Sequence, residues 1–271
     1  MAMNLFIFGL GYSAKGIAAR LARDGWRVEA TGSDGTVPFE DEGAVHAALS
    51  RANAVLSSVP PNREGFDPVL DRYGAALARS DRWLGYLSST GVYGDAGGAW
   101  VDESTPVGTG RRSARSDADL RWLELGARVF RLPGIYGPGR SALDRVREGR
   151  AHRIDIPGQV FSRVHVDDIA AGVTLALNAA SSAPSGAYNL GDDYPCSQNE
   201  VIEYACRMLR APVPPMQTIE QANLSPMARG FYAENRRVAN GKAKRLLGWR
   251  PQYPTYREGL VACLERDHEA R

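Results

Sequence analysis

The stretch MNLFIFGLGYSA, residues 3–14, decides the fold. Residues 3–8 form a short apolar run, which is typical of a strand buried on both faces of a parallel sheet. Residues 9–14 then read GxGxxA, and residues 14–24 carry apolar side chains at helical spacing. A strand that ends in glycines and leads directly into a helix is the setting in which this motif binds a dinucleotide.

Each small residue of the motif has its own physical role. Gly9 permits the tight turn, Gly11 lets a pyrophosphate approach the backbone, and Ala14 allows close packing of helix and strand. The positive end of the helix then faces the phosphates. We therefore predict a cofactor site that consists of Gly9, Gly11, Tyr12, Ser13 and Ala14, with Tyr12 covering the cofactor. The alternative is a glycine-rich turn without a ligand.

Strands and helices alternate through the first half of the chain. Strands are predicted at residues 26–31, 53–59, 83–89 and 127–132, and helices at 44–49, 67–79 and 113–125. This pattern indicates an α/β fold, a Rossmann-type doubly wound parallel sheet. Further helices are predicted at 141–149, 167–180, 197–210, 239–247 and 255–267, with a late strand at 187–191 and a loop at 210–217. We expect a dinucleotide-binding domain over residues 1–160 and, over 161–271, mainly a small C-terminal substrate lobe interleaved with the sheet.

Composition excludes several function classes. The 271 residues include 33 Lys+Arg and 31 Asp+Glu, a net charge of +2, which is too balanced for a nucleic-acid or membrane surface. The three cysteines form no CxxC pair and the four histidines are scattered, so we predict no metal site and a reducing compartment. No apolar run approaches the ~18 residues of a membrane span, so a cytoplasmic location is expected.

The second predicted strand ends where a dinucleotide-binding protein selects its cofactor. An acid there favours NAD, and a nearby arginine favours NADP. The residues are Thr31, Ser33 and Asp34: the carboxylate could accept a ribose hydroxyl, or the two hydroxyls could donate to a phosphate. The choice between NAD and NADP stays open. At the end of the next strand, the adenosine side is predicted to contact Ser57, Ser58 and Val59.

Several blocks resemble the extended short-chain dehydrogenase/reductases, the NAD(P)-dependent epimerase/dehydratase group. They are IFGLGYSAKGIAARLARDGWRV (7–28), LSSTGVYGD (87–95), DESTP (102–106), RLPGIYGPGR (131–140), FSRVHVDDIAAG (161–172) and RRVANGKAKRLLGWRPQYPTYREGL (236–260). The resemblance spans nearly the whole chain and implies a Rossmann sheet with a C-terminal substrate lobe. It places Pro133, Gly134 and Ile135 against the nicotinamide. The block at 161–172 implies a helix start at the lobe boundary; there Asp167 and Asp168 suit capping of the first turn, and His165 suits a packed residue.

The same resemblance exposes a loss. Active members of the group use a Ser or Thr together with a YxxxK pair on one helix, where the lysine charge lowers the tyrosine pKa from ~10 and makes it a base. Ser89 matches the catalytic serine, with Ser88 and Thr90 beside it. Arg111 and Arg115 stand at the tyrosine and lysine places, and residues 94–135 contain neither tyrosine nor lysine.

An arginine does not transfer protons at neutral pH, since its pKa lies above ~12. Arg115 could hold ribose hydroxyls and Arg111 a substrate anion, or both could belong to a solvated helix start. Tyr93 is the candidate substitute acid, although it and Tyr136 are typical of pocket walls. We assign Ser89, Tyr93 and Arg115 to catalysis, Ser88 to the cofactor, and Thr90, Arg111, Tyr136 and Arg236 to the substrate.

Two hypotheses of different classes remain. In the first, the chain is an NAD(P)-dependent oxidoreductase or epimerase that acts on a carbonyl or alcohol of a small metabolite or nucleotide sugar. In the second, it is a sensor or regulatory protein that binds NAD(P) without turnover. A homodimer through paired helices, one of them at 113–125, is possible on the resemblance.

Overall fold

The computed structural model describes residues 3–62, 64–79, 81–108, 113–178 and 183–269, apart from the side chain of Met227. The strands of the described residues are β1 (Asn4–Phe8), β2 (Arg27–Ala30), β3 (Ala54–Ser57), β4 (Trp83–Ser89), β5 (Trp100–Val101), β6 (Arg128–Leu132), β7 (Gly134–Tyr136), β8 (Arg153–Ile154), β9 (Arg163–His165), β10 (Gly186–Asn189), β11 (Met216–Gln217) and β12 (Arg237–Val238).

The helices of the described residues begin with α1 directly after the glycine motif. They are α1 (Tyr12–Arg23), α2 (Glu42–Arg51), α3 (Pro68–Ala78), α4 (Ser113–Glu124), α5 (Ala142–Arg147), α6 (Val166–Asn178), α7 (Gln198–Leu209), α8 (Pro226–Tyr232), α9 (Gly241–Leu246) and α10 (Tyr256–Glu269). A 3₁₀ turn over Thr90–Tyr93 follows β4.

Six parallel strands form the central sheet in the order β10-β6-β4-β3-β1-β2. The chain passes from β1 to β2 on one side and then crosses back to place β3 on the other side of β1. This reversal is the topological switch point, outside which ligands bind in open α/β sheets. The glycine motif follows β1 and therefore lies at the switch point.

Both faces of the sheet are covered, which explains the continuous apolar strands. On one face α1 and α6 pack through Ile17, Leu21 and Val173, together with Trp249. On the other face α2, α3 and α4 pack through residues such as Tyr73 and Trp122. A third apolar cluster joins α5, α7 and α10 in the C-terminal lobe. The predicted fold class is confirmed.

The predicted helices and sheet strands are all present, with shifts of a few residues at their ends. The predicted loop at 210–217 is wrong at its end, because Met216–Gln217 pairs with Arg153–Ile154 as a two-residue strand. The prediction also missed β5, β7, β8, β9, β12 and α8. Strands of two or three residues carry no readable periodicity, since their pairing depends on distant segments of the chain.

The prediction that Asp167 and Asp168 cap the first turn of α6 is wrong about the groups that these carboxylates bind. The two carboxylates do lie in the first turn, but Asp168 accepts the backbone N–H groups of Gln252 at 2.6 Å and Tyr253 at 3.2 Å. Asp167 pairs with Arg266 of α10. Asp167 and Asp168 therefore bind the C-terminal segment to α6. They do so because the fold brings donors of that segment within hydrogen-bond distance of both carboxylates.

His165 is packed, as expected, and only 1% exposed. Its Nδ1 accepts the N–H of Asp167 at 3.2 Å, and its Nε2 lies 3.7 Å from Cys263 Sγ. The three cysteines are all buried with free thiols. Among the described residues there is no group of metal ligands, and no helix has the length and apolarity needed to cross a bilayer.

We predict that acid destabilises the fold through His165. Burial lowers the pKa of this imidazole to about 4, so between pH ~6.5 and 4 the unfolded chain binds a proton that the folded chain does not. Between pH 7.5 and 4.5 the wild type should lose about 1–3 kcal/mol more unfolding free energy than His165→Gln. Urea unfolding at the two pH values measures this, with His268→Gln at an exposed position as the control. Equal losses in all three proteins would contradict it.

Candidate functional site

The glycine loop touches the ends of both neighbouring strands. Gly9 has φ +82°, and a Cβ there would lie 2.9 Å from Val59 Cγ2, so only glycine fits. The Gly9 N–H donates to Thr31 Oγ1 at 3.0 Å, and the Ser58 hydroxyl donates to the Gly9 carbonyl. Thr31 and Ser58 therefore brace the loop, a role that accounts for these two hydroxyls before any ligand is considered.

The space in front of Gly11 is open, since a Cβ at this position would meet nothing within 4 Å. Gly11 is the N-cap of α1; it has no side chain to satisfy the first N–H groups, and the first turn holds no acidic residue. Ser13 and the buried Ala14 follow in that turn. The helix thus presents unneutralised N–H donors to an open space, as an anion site requires.

The end of β2, where the cofactor ribose is predicted to bind, carries an exposed ion pair. Asp34 pairs with Lys15 of α1, and the side chains are 54% and 53% exposed. Ser33 is also exposed, whereas Thr31 is buried. The Asp34 carboxylate favours NAD and the Lys15 ammonium favours the extra phosphate of NADP, so this pair does not select between the two cofactors. Lys15 was missed in the sequence because it lies on α1 rather than at the end of β2.

The residues at the end of β3 differ in accessibility. Ser57 is fully buried, and its hydroxyl accepts the N–H of Val59 at 3.4 Å. Ser58 and Val59 are partly exposed beside the glycine loop. The adenosine contacts predicted for these three residues stay a prediction.

A cleft of about 650 Å³ opens beside the carboxyl ends of β4 and β6. One end is lined by Ser89, Thr90, Pro133, Gly134 and Ile135, so the structure brings the predicted catalytic serine and the predicted nicotinamide wall together. The rest of the lining comes mainly from α5, α8 and the loops before α5, β8, β9 and β12. It includes the predicted substrate residues Tyr136, at the end of β7, and Arg236 and, among others, Arg140, Arg145, His152, Phe161, Phe231 and Tyr232.

Ser89 keeps a donor for the cleft. It is the N-cap of the 3₁₀ turn, and its Oγ accepts the N–H of Gly91 at 3.1 Å. The hydroxyl proton takes no part in that bond and remains available to a substrate oxygen. Thr90, beside it, is buried and also lines the cleft.

Tyr93 lies behind the cleft and is not among its lining residues. Its hydroxyl donates to Asn189 Oδ1 at 2.8 Å and accepts from Arg131 Nη1 at 3.0 Å. Burial is the largest influence on its pKa and raises it, although the nearby Arg131 lowers it. The structure therefore does not bring Tyr93 together with Ser89 at the cleft surface.

A buried ion pair joins β6 to α4. Arg131 and Asp119 are 3% and 0% exposed and make two hydrogen bonds, of 2.7 and 3.1 Å. Ser88 donates to the same carboxylate at 2.6 Å, so its hydroxyl faces α4 rather than the cleft. The sequence analysis missed this network, because one charged residue in a strand and one in a helix carry no spacing signal.

The arginine at the lysine place faces the sheet. Arg115 is half-buried, and its Nη1 donates to Tyr86 Oη at 3.2 Å. Tyr86 in turn stacks on Trp122 with ring centroids 5.3 Å apart. Arg111, predicted to bind a substrate anion, lies outside the described residues. The bond to Tyr86 engages one Nη of Arg115, and the ribose role predicted for its other N–H groups stays a prediction.

The Asp119–Arg131 pair should be essential to stability. Asp119→Asn leaves Arg131 buried without a counter-charge, and breaking a buried pair in this way costs about 3–5 kcal/mol. The control is Asp71→Asn, which breaks the exposed Asp71–Arg121 pair of 2.8 Å and should cost less than about 1 kcal/mol. Urea unfolding measures both, and similar small losses in the two variants would refute the assignment.

Comparisons with known proteins support this architecture. No family model matches the chain. The chain is 39% identical to a conserved protein of unknown function from Silicibacter pomeroyi, whose structure superimposes with a TM-score of 0.85 over 98% of this chain and 99% of that one. It is 32% identical over 174 residues to a 3-diazoavenalumate denitrifying reductase from a Streptomyces species, covering 59% of this chain but only 55% of the reductase.

More distant structures share the fold. The UDP-glucose 4-epimerase of Thermotoga maritima, solved with UDP-glucose, is 18% identical with a TM-score of 0.80 over 99% of both chains. Other proteins of this fold were solved with NAD or NADPH. The chain therefore belongs to one family with the Silicibacter pomeroyi protein, and its fold is that of the NAD-dependent epimerases and dehydratases of the extended short-chain dehydrogenase/reductase class.

Proposed function

We propose that this protein is an NAD(P)-dependent reductase of a small molecule. The observation that carries the proposal is the open space at Gly11, which faces the uncapped N-terminus of α1 at the switch point of the sheet. The cofactors of structures with this fold, NAD and NADPH, and the reductase activity in the name of the Streptomyces relative agree with it.

The residues present fit a dinucleotide. Gly11, Tyr12 and Ser13 would hold the pyrophosphate, the Lys15–Asp34 pair would meet the ribose, and Pro133 to Ile135 would hold the nicotinamide end. The bound nicotinamide would supply a hydride. Ser89 would bind the acceptor group of the substrate through its free O–H, and Thr90 would complete that wall.

The Tyr–Lys pair that usually supplies the proton is missing from residues 94–135 of this chain. Tyr93 is held by Arg131 and Asn189, and Arg115 is bonded to Tyr86. A ketone reduced by hydride becomes an alkoxide and needs a proton, which here has to come from another donor or from water. A hydride that replaces dinitrogen on a diazonium carbon leaves a C–H bond and free N₂, and no oxyanion forms. Reductions of this second class do not need the Tyr–Lys pair, and so they belong among the candidate reactions.

Cofactor binding without turnover is the second candidate. The observation that favours it is the same absence of tyrosine and lysine over residues 94–135. In that case the cleft would bind a metabolite or partner whose signal depends on NAD(P). The two candidates share the cofactor site and differ only in chemistry.

The cofactor site is tested by Gly11→Ala. Gly11 has φ −85°, which alanine adopts without strain, so the new methyl group should act only on the ligand. We expect the variant to bind NADPH and NADH at least ~10-fold more weakly, about 1.4 kcal/mol, in a fluorescence titration. Gly74→Ala on α3, where a Cβ lies 4.0 Å from the nearest atom, is the control and should bind as the wild type. A wild type that responds to neither cofactor would refute the proposal.

The reaction is tested by following NADPH absorbance over a panel of carbonyl, sugar-nucleotide and aryl diazonium compounds. With any substrate that turns over, Ser89→Ala should lower kcat/KM by about 10²-fold, as loss of a hydrogen bond to the reacting group does. Tyr93→Phe should stay within tenfold, with an unshifted pH profile, because its hydroxyl lies behind the cleft. The reverse pattern would identify Tyr93 as the acid, and NADPH binding without any turnover would favour the second candidate.

A further inference from the structure

The cleft contains arginines of two kinds. Arg236 donates to Glu234 at 2.8 Å and to the Gly94 carbonyl at 2.6 Å. Arg163 is buried and bonded to backbone carbonyls and to Gln198, and Arg150 is bonded to Glu148. The guanidinium N–H groups of these three are therefore already engaged with protein acceptors. Arg140 and Arg145 also line the cleft, and within the described part of the chain neither has a carboxylate at ion-pair distance.

The two arginines without a carboxylate partner, Arg140 and Arg145, lie toward different ends of the cleft. The Arg140 guanidinium lies 5.7 Å from the centre of the Tyr12 ring, and Tyr12 is the first residue of α1. Tyr12 also donates to the Pro138 carbonyl at 3.0 Å, which holds the Arg140 loop against the glycine motif. Arg140 thus lies at the end of the cleft where the cofactor diphosphate is proposed to bind. Arg145 on α5 belongs to the part of the cleft lining away from the glycine motif.

Arg145 shares the cleft lining with His152, Phe161 and Tyr232. The Tyr232 hydroxyl lies 3.4 Å from His152 Nε2, and the Phe161 ring meets the Tyr232 ring edge-on with centroids 5.5 Å apart. Burial is the largest influence on the pKa of His152 and lowers it; a backbone hydrogen bond with Arg150 raises it, and the Arg145 charge lowers it. The Arg163 guanidinium also lies beside this wall, 6.0 Å from the Phe161 ring centre, but its Nη donors are bonded to backbone carbonyls and to Gln198. Among the described residues, the wall therefore combines three rings with one guanidinium, that of Arg145, whose N–H groups have no protein partner.

We propose that Arg145, His152, Phe161 and Tyr232 form a subsite for the carboxylate end of a planar aromatic monoanion. The inference rests on the proposed function, because it names the substrate class of the same cleft. A guanidinium binds a carboxylate through two parallel hydrogen bonds, and ring faces bind a flat apolar body by stacking. The carboxylate end at Arg145 leaves the other end of the molecule directed toward Ser89 and the nicotinamide wall.

A nucleoside diphosphate fits this wall less well. Its two phosphates carry at least two negative charges. Arg140 is assigned to the cofactor end, and Arg150, Arg163 and Arg236 are bonded to other groups, so among the described arginines of the cleft Arg145 is left to meet them. An aromatic monoacid matches both the single unengaged guanidinium and the ring lining. The two ligand classes are separated by experiment with defined probes.

The probes are trans-cinnamate, its neutral isostere trans-cinnamamide, and UDP, titrated by calorimetry into the 271-residue chain with and without saturating NADPH. We expect cinnamate to bind at least 10-fold more tightly than cinnamamide or UDP. Arg145→Ala should weaken cinnamate about 10- to 100-fold, the usual effect of losing a charged hydrogen-bond partner, and Arg145→Lys should weaken it less. The control Arg147→Ala lies on the same helix, but Arg147 is paired with Asp267 and is not part of the cleft lining; it should bind as the wild type.

Equal binding of cinnamate and cinnamamide, or cinnamate binding unchanged in Arg145→Ala, would overturn the inference. Tighter binding of UDP that depends on Arg145 would also overturn it, in favour of a diphosphate substrate. The NADPH titration of the same samples tests the proposed function separately. If cinnamate binds and NADPH does not, the cofactor proposal alone is refuted. If NADPH binds and cinnamate does not, only the proposed substrate class is refuted.

Discussion

The arrangement of strands β4, β6 and β10 depends on the buried ion pair between Asp119 and Arg131. It joins α4 to β6, and Ser88 ties β4 to the same carboxylate. Arg131 also donates to Tyr93, whose hydroxyl reaches Asn189 at the end of β10. One arginine thus fixes the carboxyl ends of three neighbouring strands. A buried charge is tolerated only when its hydrogen bonds are satisfied, so the network holds these strand ends in one arrangement.

That network has a chemical consequence. It engages the side chains of Ser88 and Tyr93, which the sequence assigned to cofactor and proton transfer, in fixed hydrogen bonds away from the cleft. Ser89, one residue after Ser88, points to the other side and lines the cleft. Alternation along a strand explains the difference, because successive side chains leave opposite faces. Under the proposed function, Ser89 donates to a substrate oxygen, and the tyrosine and lysine that usually accompany such a serine are absent from residues 94–135.

The cofactor end and the substrate end differ in how far they could be predicted. Gly9, Gly11 and Ala14 follow each other in the chain, so their spacing alone indicated a turn, an open approach and a close contact. The wall formed by Arg145, His152, Phe161 and Tyr232 comes from α5, α8 and the loops before β8 and β9. None of these residues stands at a fixed spacing from another. Asp167 and Asp168 show the same limit: their place in the first turn of α6 was predictable, whereas their partners Arg266, Gln252 and Tyr253 were not.

The sequence by itself determined the α/β class, the sheet strands, the glycine loop and the absence of tyrosine and lysine from residues 94–135. These properties depend on local spacing, because a strand, a tight turn and a helix face are each defined by residues a few positions apart. Only the tertiary structure decided which hydroxyl reaches the cleft, which arginines are bonded to other protein groups and which arginine remains available to a ligand. Those outcomes depend on burial and on competition among donors and acceptors that are far apart in the chain and meet only when it folds.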